Sequence, residues 1–163
     1  MAGSVIAVVS DKGGVGKTTS ATSVAHGLAL GAQSPPARVL LVDFDLLGQD
    51  AIVLGLSPEP GVYDYLVRRA PAQQVVRETG RLSLQLLPGN GWSRQADNLL
   101  RSEPVAALVA RLQALSQGYD YLVLDTHPSG LLQELAMRVA EVVIAPVRLE
   151  ALAMDGVAAT LQL

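Results

Sequence analysis

The sequence contains no cysteine, and this absence excludes several classes of function. A chain without thiols has no disulfide bonds, no thiolate metal site, no cysteine-ligated iron–sulfur cluster and no thiol nucleophile. Aromatic residues make up only 4% of the 163 residues and charged residues only 17%, whereas 50% are hydrophobic. This composition is typical of a globular domain and excludes a disordered chain.

Long apolar runs and an excess of positive charge are also absent. The apolar run at residues 5–9 is too short to cross a bilayer or to form the core of a signal peptide, so we expect a cytoplasmic protein. Twelve Lys and Arg against fifteen Asp and Glu give a net charge of −3, so no bulk positive field indicates nucleic acid or an acidic membrane. The length predicts a single domain over residues 1–163, which buries roughly 70% of its unfolded surface.

Short β-branched apolar runs alternate along the chain with helical periodicity. Strands are predicted at residues 4–9, 38–42, 82–87, 119–124 and 142–147. Helices are predicted at residues 18–30, 62–69, 131–140 and 151–163, and a further one carries the apolar stripe Val105, Leu108, Leu112 and Leu115. Ser102 is predicted to cap this last helix, with Pro104 in its first turn.

The alternation of strands and helices predicts the fold class. It indicates an α/β fold, a doubly wound and mainly parallel sheet with helices on both faces. Two of the predicted strands lead directly into a carboxylate, Asp43 and Asp125. In such sheets the ligand lies at the carboxyl edge of the strands, so we expect the chemistry of the protein there.

A glycine-rich segment, Lys12-Gly-Gly-Val-Gly-Lys-Thr-Thr19, joins the first strand to the first helix. Glycines let a backbone wrap closely around a phosphate, and the helix N-terminus adds a partial positive charge. Lys17 is expected to reach the β and γ phosphates, Thr18 to offer its hydroxyl to Mg²⁺, and Thr19 to hold the α phosphate. The predicted nucleotide-binding residues are Gly13, Gly14, Val15, Gly16, Lys17, Thr18 and Thr19. The strict P-loop pattern G-x-x-x-x-G-K-[ST] has a glycine where this chain has Asp11.

The same segment resembles the loop of the deviant Walker A ATPases, the P-loop family of the ParA and MinD types. The mark of this family is a second lysine in the pattern K-G-G-x-G-K-[ST], and Lys12 occupies its position. The resemblance implies ATP and Mg²⁺ as cofactors and a homodimer in which Lys12 reaches the nucleotide of the partner subunit. A cation that meets the triphosphate only in the dimer makes dimerisation depend on the γ phosphate.

Two further segments resemble motifs of the family. Residues 39–45 are similar to its strand followed by Asp-x-Asp, which implies that Asp43 lies near the water shell of Mg²⁺ and that Asp45 orients or activates the attacking water. Residues 119–125 resemble its Walker B strand, which implies that Asp125 holds a water bound to Mg²⁺. The resemblance thus implies catalytic roles for Lys12, Lys17 and Asp45, and roles at the metal for Thr18, Asp43 and Asp125.

The chain departs from the family pattern at His127, where relatives usually have a small residue or proline. A packed or solvated histidine explains this position best, and we expect no catalytic role for it. Family members usually continue beyond the segment matched here, with residues that contact adenine and basic residues that grip DNA. The chain is therefore either a naturally short member or a C-terminally truncated part of a longer protein.

The resemblance implies one of two functions. The first is a ParA-type dimerising switch ATPase that hydrolyses ATP slowly until a ParB-like protein stimulates it, binds DNA non-specifically, lies on the nucleoid and partitions plasmids or chromosomes. The alternative is a MinD-like ATPase for cell-division or polar positioning through membrane or protein partners. A membrane is not expected, because residues 151–163 contain no Lys or Arg. Lys12 argues against ATP-dependent amidating or carboxylating ligases on this fold, which generally lack that lysine.

Overall fold

The computed structural model describes residues 3–31, 34–45 and 47–147, except for the side chains of residues 93 and 94. The helix predicted at residues 151–163 lies outside the described residues. The strands of the described part are β1 (Ser4–Val8), β2 (Val39–Asp43), β3 (Arg77–Glu78), β4 (Leu84–Leu87), β5 (Tyr121–Asp125) and β6 (Val142–Ile144). Its helices are α1 (Lys17–Ala29), α2 (Gln49–Leu54), α3 (Val62–Leu66), α4 (Ala72–Val75), α5 (Ser93–Leu100), α6 (Val105–Ser116) and α7 (Leu131–Val139).

The described strands form one sheet in the order β3-β4-β2-β5-β1-β6. All neighbouring strands pair in parallel except β3, which pairs antiparallel with β4 at the edge. In the register of β2 and β5, Asp43 lies opposite Asp125. The predicted α/β fold with a doubly wound, mainly parallel sheet is confirmed.

Two apolar clusters cover the two faces of the sheet. On one face, Val39 and Leu41 of β2 pack with the alanines of α1, whose small side chains let the helix lie close to the strands. On the other face, Leu40 and Val42 pack with residues of α3, α5, α6 and α7. Each fully buried leucine contributes roughly 1.5–3 kcal/mol by leaving water. Burial on both faces explains why β2 is apolar throughout until it reaches Asp43.

The start of α6 differs from the sequence-based prediction. The hydroxyl of Ser102 donates a hydrogen bond to the carbonyl oxygen of Leu99 at 2.9 Å, so the predicted cap is wrong. Pro104 lies directly before the helix, which begins at Val105 without a side-chain cap. Val105 is 38% exposed, so the buried stripe begins only at Leu108 and continues through Leu112 and Leu115. The stripe is shorter because the first turn of α6 extends beyond the sheet-facing core.

Several short elements were not predicted from the sequence. Helices α2 and α4 have six and four residues, and β3 has two. Each is too short to show a recognisable hydrophobic periodicity. Strand β6 ends at Ile144 instead of residue 147, because Pro146 lacks the N–H that a strand needs. The longest described helix, α1, has 13 residues, and no helix among the described residues is long and apolar enough to span a bilayer.

Candidate functional site

The predicted site residues meet at the carboxyl edge of three neighbouring strands. The glycine-rich loop follows β1 and leads into α1, which begins at Lys17. Asp43 is the last residue of β2 and Asp125 the last residue of β5, and β5 lies between β1 and β2 in the sheet. The strand order therefore places the loop and both carboxylates side by side, as parallel pairing requires.

The glycine loop has the backbone of a phosphate cradle. Gly14 and Gly16 have φ values of 69° and 97°, the left-handed region that favours glycine. Gly16 precedes α1, whose first turn has no side-chain cap and no acidic residue. A Cβ placed on Gly13 or Gly16 would meet no described atom within 4 Å. The uncapped start of α1 and the open space beside Gly13 and Gly16 could therefore hold a phosphate.

Lys17 is buried beneath this loop. Its side chain folds back so that Nζ donates a hydrogen bond to the carbonyl oxygen of Lys12 at 3.1 Å, and only 7% of the residue is exposed. Burial lowers the pKa of Lys17, whereas the nearby carboxylates of Asp125, Asp45 and Asp11 raise it. The ammonium group is therefore held at the inner wall of the cradle, in reach of an anion bound there. Val15 is half-buried.

Thr18 is fixed against the end of β5. Its hydroxyl donates a hydrogen bond to Oδ2 of Asp125 at 2.7 Å. Thr126, which follows Asp125, donates a hydrogen bond from its hydroxyl to the carbonyl oxygen of Val8 at 2.9 Å, and this bond connects the end of β5 to β1. Thr19, by contrast, is exposed. The structure thus brings Thr18 and Asp125 together, as expected for two groups that serve one metal ion.

Asp43 organises the loop that follows β2. Its carboxylate accepts the N–H of Asp45 at 2.7 Å and the N–H of Asp50 at 3.2 Å. Asp45 in turn accepts the N–H of Leu47 at 3.0 Å and is only half-buried. Asp43 therefore lies at the base of the site, whereas Asp45 lies nearer solvent, where a carboxylate can contact water.

Asp50 is a further carboxylate of the site, which the sequence did not reveal. It lies in the first turn of α2 and is fully buried, and neither carboxylate oxygen has a hydrogen-bond partner among the described residues. One oxygen each of Asp43, Asp50 and Asp125 lie within 4.8 Å of one another. The sequence contains no pattern that would have identified Asp50, because α2 is too short to be recognised from hydrophobic periodicity.

The three carboxylates have unusual acid–base properties. Burial raises the pKa of Asp43 to about 8, that of Asp50 to about 10 and that of Asp125 to about 6, and the neighbouring carboxylates add to each increase. Oδ1 of Asp125, like both oxygens of Asp50, has no described hydrogen-bond partner. Buried, unpartnered carboxylate oxygens beside a threonine hydroxyl are the hard oxygen donors that Mg²⁺ prefers. The residues present therefore fit a magnesium ion.

The raised pKa values predict how stability depends on pH in the metal-free protein. Between the ordinary carboxyl pKa of 3.8 and the raised folded-state values, the folded state binds more protons than the unfolded state. Stabilisation is therefore complete below pH 3.8 for these groups and is lost as pH rises through about 6 to 10. We expect the melting temperature in chelator to fall from pH 6 to pH 9, measured by calorimetry. A rising melting temperature over this range would contradict the prediction.

Asp11, at the position where the strict P-loop pattern has glycine, links the loop to α7. Its carboxylate accepts a hydrogen bond from Nε2 of Gln133 at 3.1 Å, and Oε1 of Gln133 accepts the N–H of Ser129 at 2.5 Å. Gln133 is 1% exposed, and sequence reasoning missed it because glutamine is usually a surface residue. Nδ1 of His127 lies 2.8 Å from the carbonyl oxygen of Pro128, to which it can donate.

The loops after β2 and β4 pack backbone against backbone. A Cβ on Gly89 would lie 2.4 Å from the carbonyl oxygen of Asp45 and 2.5 Å from that of Asp43. Gly48 has a φ of 57°, and its Cβ would lie 2.4 Å from the carbonyl oxygen of Gly89. These contacts are shorter than any side chain permits, so glycine is required at both positions.

Comparisons with known proteins agree with this geometry. A family model described as AAA domain matches residues 3–163. The sporulation initiation inhibitor protein Soj of Bacillus subtilis is 34% identical over 162 residues, which cover 94% of this chain and 62% of that protein. The chromosome-partitioning ATPase Soj of Thermus thermophilus is 39% identical over 158 residues, which cover 96% of this chain and 59% of that protein.

A solved structure is similar over nearly the whole chain. The cobyrinic acid a,c-diamide synthase of Mycobacterium smegmatis with bound ADP and magnesium superposes with a TM-score of 0.86 at 31% identity, over 98% of this chain and 66% of that one. The chain spans less than two thirds of the length of the two Soj proteins. The glycine loop with two lysines, the matching domain family and the Soj relatives lead to one conclusion: the chain belongs to the AAA domain family and is a P-loop ATPase domain of the ParA type.

Proposed function

We propose that this protein is an ATP-dependent dimerising switch that hydrolyses ATP to ADP and phosphate, with partition of DNA or positioning of another cargo as its role. One observation carries the proposal: Thr18 is hydrogen-bonded to Asp125 directly beside an uncapped helix N-terminus and a buried Lys17. This arrangement supplies anion-binding groups and metal-binding oxygens within one small volume. The Soj relatives, one of them named as a chromosome-partitioning ATPase, support the same function.

The chain's own residues divide the work of binding. The N–H groups of the glycine loop and the ammonium of Lys17 hold the phosphates, and their fixed positions mean that little reorganisation accompanies the reaction. The oxygen atoms that would hold Mg²⁺ belong to Thr18, Asp125 and Asp43. Thr18 is hydrogen-bonded to Asp125, and Asp43 lies opposite Asp125 on the neighbouring strand. Mg²⁺, when bound, neutralises charge on the β and γ phosphates.

Asp45 is proposed to orient the attacking water. The turn that carries it is fixed by the bond from its own N–H to Asp43, and its carboxylate remains half-exposed. An ionised carboxylate accepts a hydrogen bond from water and so directs the water oxygen toward phosphorus. Slow hydrolysis follows if this geometry is completed only when a stimulating protein docks.

Lys12 is proposed to report the nucleotide state to a second copy of the chain. It lies at the entrance of the glycine loop, and its carbonyl oxygen is held by Lys17. A lysine that meets the γ phosphate across a dimer interface contributes a charge-assisted hydrogen bond only when ATP is bound. Such a bond is worth about 1.5–3 kcal/mol, which corresponds to roughly 10-fold to 100-fold in dimer affinity.

Replacement of Lys12 by alanine is therefore expected to weaken ATP-driven dimerisation by about 10-fold to 100-fold and to leave ADP binding to the monomer intact. Sedimentation with a non-hydrolysable ATP analogue measures the first effect, and titration with ADP measures the second. Arg38→Ala is the matched control, because this cation is exposed and precedes β2 at the opposite edge of the sheet. An unchanged dimer in Lys12→Ala would remove Lys12 from the interface.

Binding to DNA is the experiment that tests the partition role. A random-sequence duplex is titrated at low and moderate salt with Mg-ATP and with Mg-ADP, and Asp45→Ala is used to hold the ATP state. Binding with ATP alone that weakens as salt increases would support partition, because contacts between arginine and phosphate release counterions. If neither nucleotide state binds DNA, the DNA role is wrong and a protein cargo takes its place.

The likeness to the Mycobacterium structure favours a second candidate, a diamide-forming synthase, since 31% identity extends over almost the whole chain. The two functions differ in what they need for turnover. A switch releases phosphate from ATP without a co-substrate and dimerises with ATP, whereas a synthase depends on the acid that it amidates. Phosphate release measured with ATP alone, before and after addition of DNA, separates them.

A further inference from the structure

The carboxyl group of Asp50 is buried, and neither of its oxygens has a described partner. The residue is 0% exposed. Its backbone N–H donates to Asp43, which holds the start of α2 against the end of β2. A carboxylate that is removed from water without a partner costs several kcal/mol, so folded proteins neutralise such groups with a cation or a proton.

The described surroundings of Asp50 supply no positive charge. The charges that act on it are those of Asp43, Asp125 and Asp45, and all are negative. The ammonium of Lys17 is directed elsewhere, to the carbonyl oxygen of Lys12. The nearest carboxylates therefore increase the need for a counter-charge at this position instead of meeting it.

The geometry suits one divalent cation. The three carboxylates offer one oxygen each within 4.8 Å of one another. Two oxygens on opposite sides of Mg²⁺ are separated by about 4.2 Å, so the three oxygens can reach one such ion with at most a small shift. The oxygens of Asp43 that accept backbone N–H groups keep a second lone pair, and Oδ1 of Asp125 has no described hydrogen-bond partner.

We propose that Asp43, Asp50 and Asp125 together bind one oxygen-preferring divalent cation, of the Mg²⁺ or Mn²⁺ class, before any nucleotide is bound. Asp50 is the ligand that makes this possible, because it adds a third carboxylate from α2 to the two at the strand ends. This proposal deepens the proposed function and rests on it only for the later use of the cation in hydrolysis. The nucleotide then meets a site that already contains metal, instead of bringing the ion with it.

A cation held in this way connects three elements. Asp43 and Asp125 end the neighbouring strands β2 and β5, and Asp50 begins α2. Ligation by all three thus fastens the loop that carries Asp45 to the sheet. We expect a divalent cation to raise the melting temperature of the nucleotide-free protein, and chelator to reverse the increase.

The test is a titration of the chelator-stripped, nucleotide-free chain with Mn²⁺, followed by electron paramagnetic resonance. The wild type is expected to bind one Mn²⁺ per chain, and Asp50→Asn to weaken this binding by at least about tenfold. Asp120→Asn is the matched control, since it makes the same chemical change at a half-exposed carboxylate before β5, at the other edge of the sheet. Absence of Mn²⁺ binding in the wild type, or unchanged affinity in Asp50→Asn, overturns the proposal.

A second measurement on the wild type alone covers the case in which Asp50→Asn does not fold. Pulsed resonance counts the waters that remain on bound Mn²⁺, and three carboxylate ligands leave about three waters on a six-coordinate ion. Five or six waters would show that the ion is held outside the trio and would overturn the proposal.

The proposed function fails in a distinguishable way. Lys17→Ala is expected to lose nucleotide binding and to keep the bound Mn²⁺, because Lys17 is not a ligand and its positive charge beside Asp125 opposes the cation. If the wild type binds Mn²⁺ but no nucleotide, the ATPase proposal is refuted and the cation site remains.

Discussion

Lys17→Ala is expected to reduce ATP hydrolysis by about 100-fold to 1,000-fold, with a parallel loss of nucleotide affinity. The ammonium is fixed at the inner wall of the glycine loop, only 7% exposed and hydrogen-bonded to the carbonyl oxygen of Lys12. No other described group on the loop can place a positive charge against the β and γ phosphates from this depth. Phosphate release and binding of a fluorescent ADP analogue measure the two losses.

Stability must be measured beside activity for this variant. The substitution leaves the carbonyl oxygen of Lys12 without the hydrogen bond that it accepts from Lys17, and an unpaired carbonyl costs about 1–3 kcal/mol. The melting temperature of Lys17→Ala therefore separates unfolding from loss of the phosphate contact. Arg38→Ala, which removes an exposed cation at the other edge of the sheet, should match the wild type in both assays. Turnover within threefold of the wild type in a folded Lys17→Ala would refute the role.

Asp45→Ala is expected to bind ATP with near-normal affinity, to hydrolyse it about 100-fold to 10,000-fold more slowly, and to persist as a dimer. The reason is positional, since Asp45 is half-buried beyond the end of β2, whereas the phosphate cradle lies on the loop after β1. Single-turnover hydrolysis and sedimentation with ATP provide the measurements. Normal turnover would remove Asp45 from the reaction.

A matched variant separates chemistry from loop order at this residue. Oδ1 of Asp45 accepts the N–H of Leu47 at 3.0 Å, a bond that Asp45→Asn can keep and Asp45→Ala cannot. If Asp45 acts through its charge on water, both variants should be slow. If Asp45→Asn retains normal turnover, the residue serves only to shape the loop.

The sequence was sufficient to predict the features that repeat or that follow a rigid pattern. Alternating apolar strands and periodic helices predicted the doubly wound sheet, because burial on two faces leaves a continuous apolar signature such as that of β2. The glycine loop was recognised from its residue pattern, and the carboxylates at strand ends were recognised because parallel pairing brings strand ends to one edge. The roles of all the predicted site residues, those of the glycine loop and Lys17 included, remain predictions.

The features that escaped prediction arise from contacts between distant segments. Gln133 is buried because its two polar groups meet Asp11 and Ser129, and nothing in the local sequence around α7 indicates such partners. Asp50 is buried because a loop turns back over the sheet and its N–H binds Asp43. Ser102 failed as a cap for the opposite reason, since a nearer carbonyl, that of Leu99, takes its hydroxyl.

The close approach of Gly89 to Asp43 and Asp45 limits which sequences can perform this chemistry. Because a single added carbon on Gly89 would overlap the carbonyl oxygens of Asp43 and Asp45, even an alanine there must push this turn away from the sheet. Gly89 has no side chain to offer a ligand, yet the backbone contacts leave no room for any other residue at this position. Screens for loss of function should therefore recover substitutions in the loop after β4 that resemble active-site mutants while the fold persists.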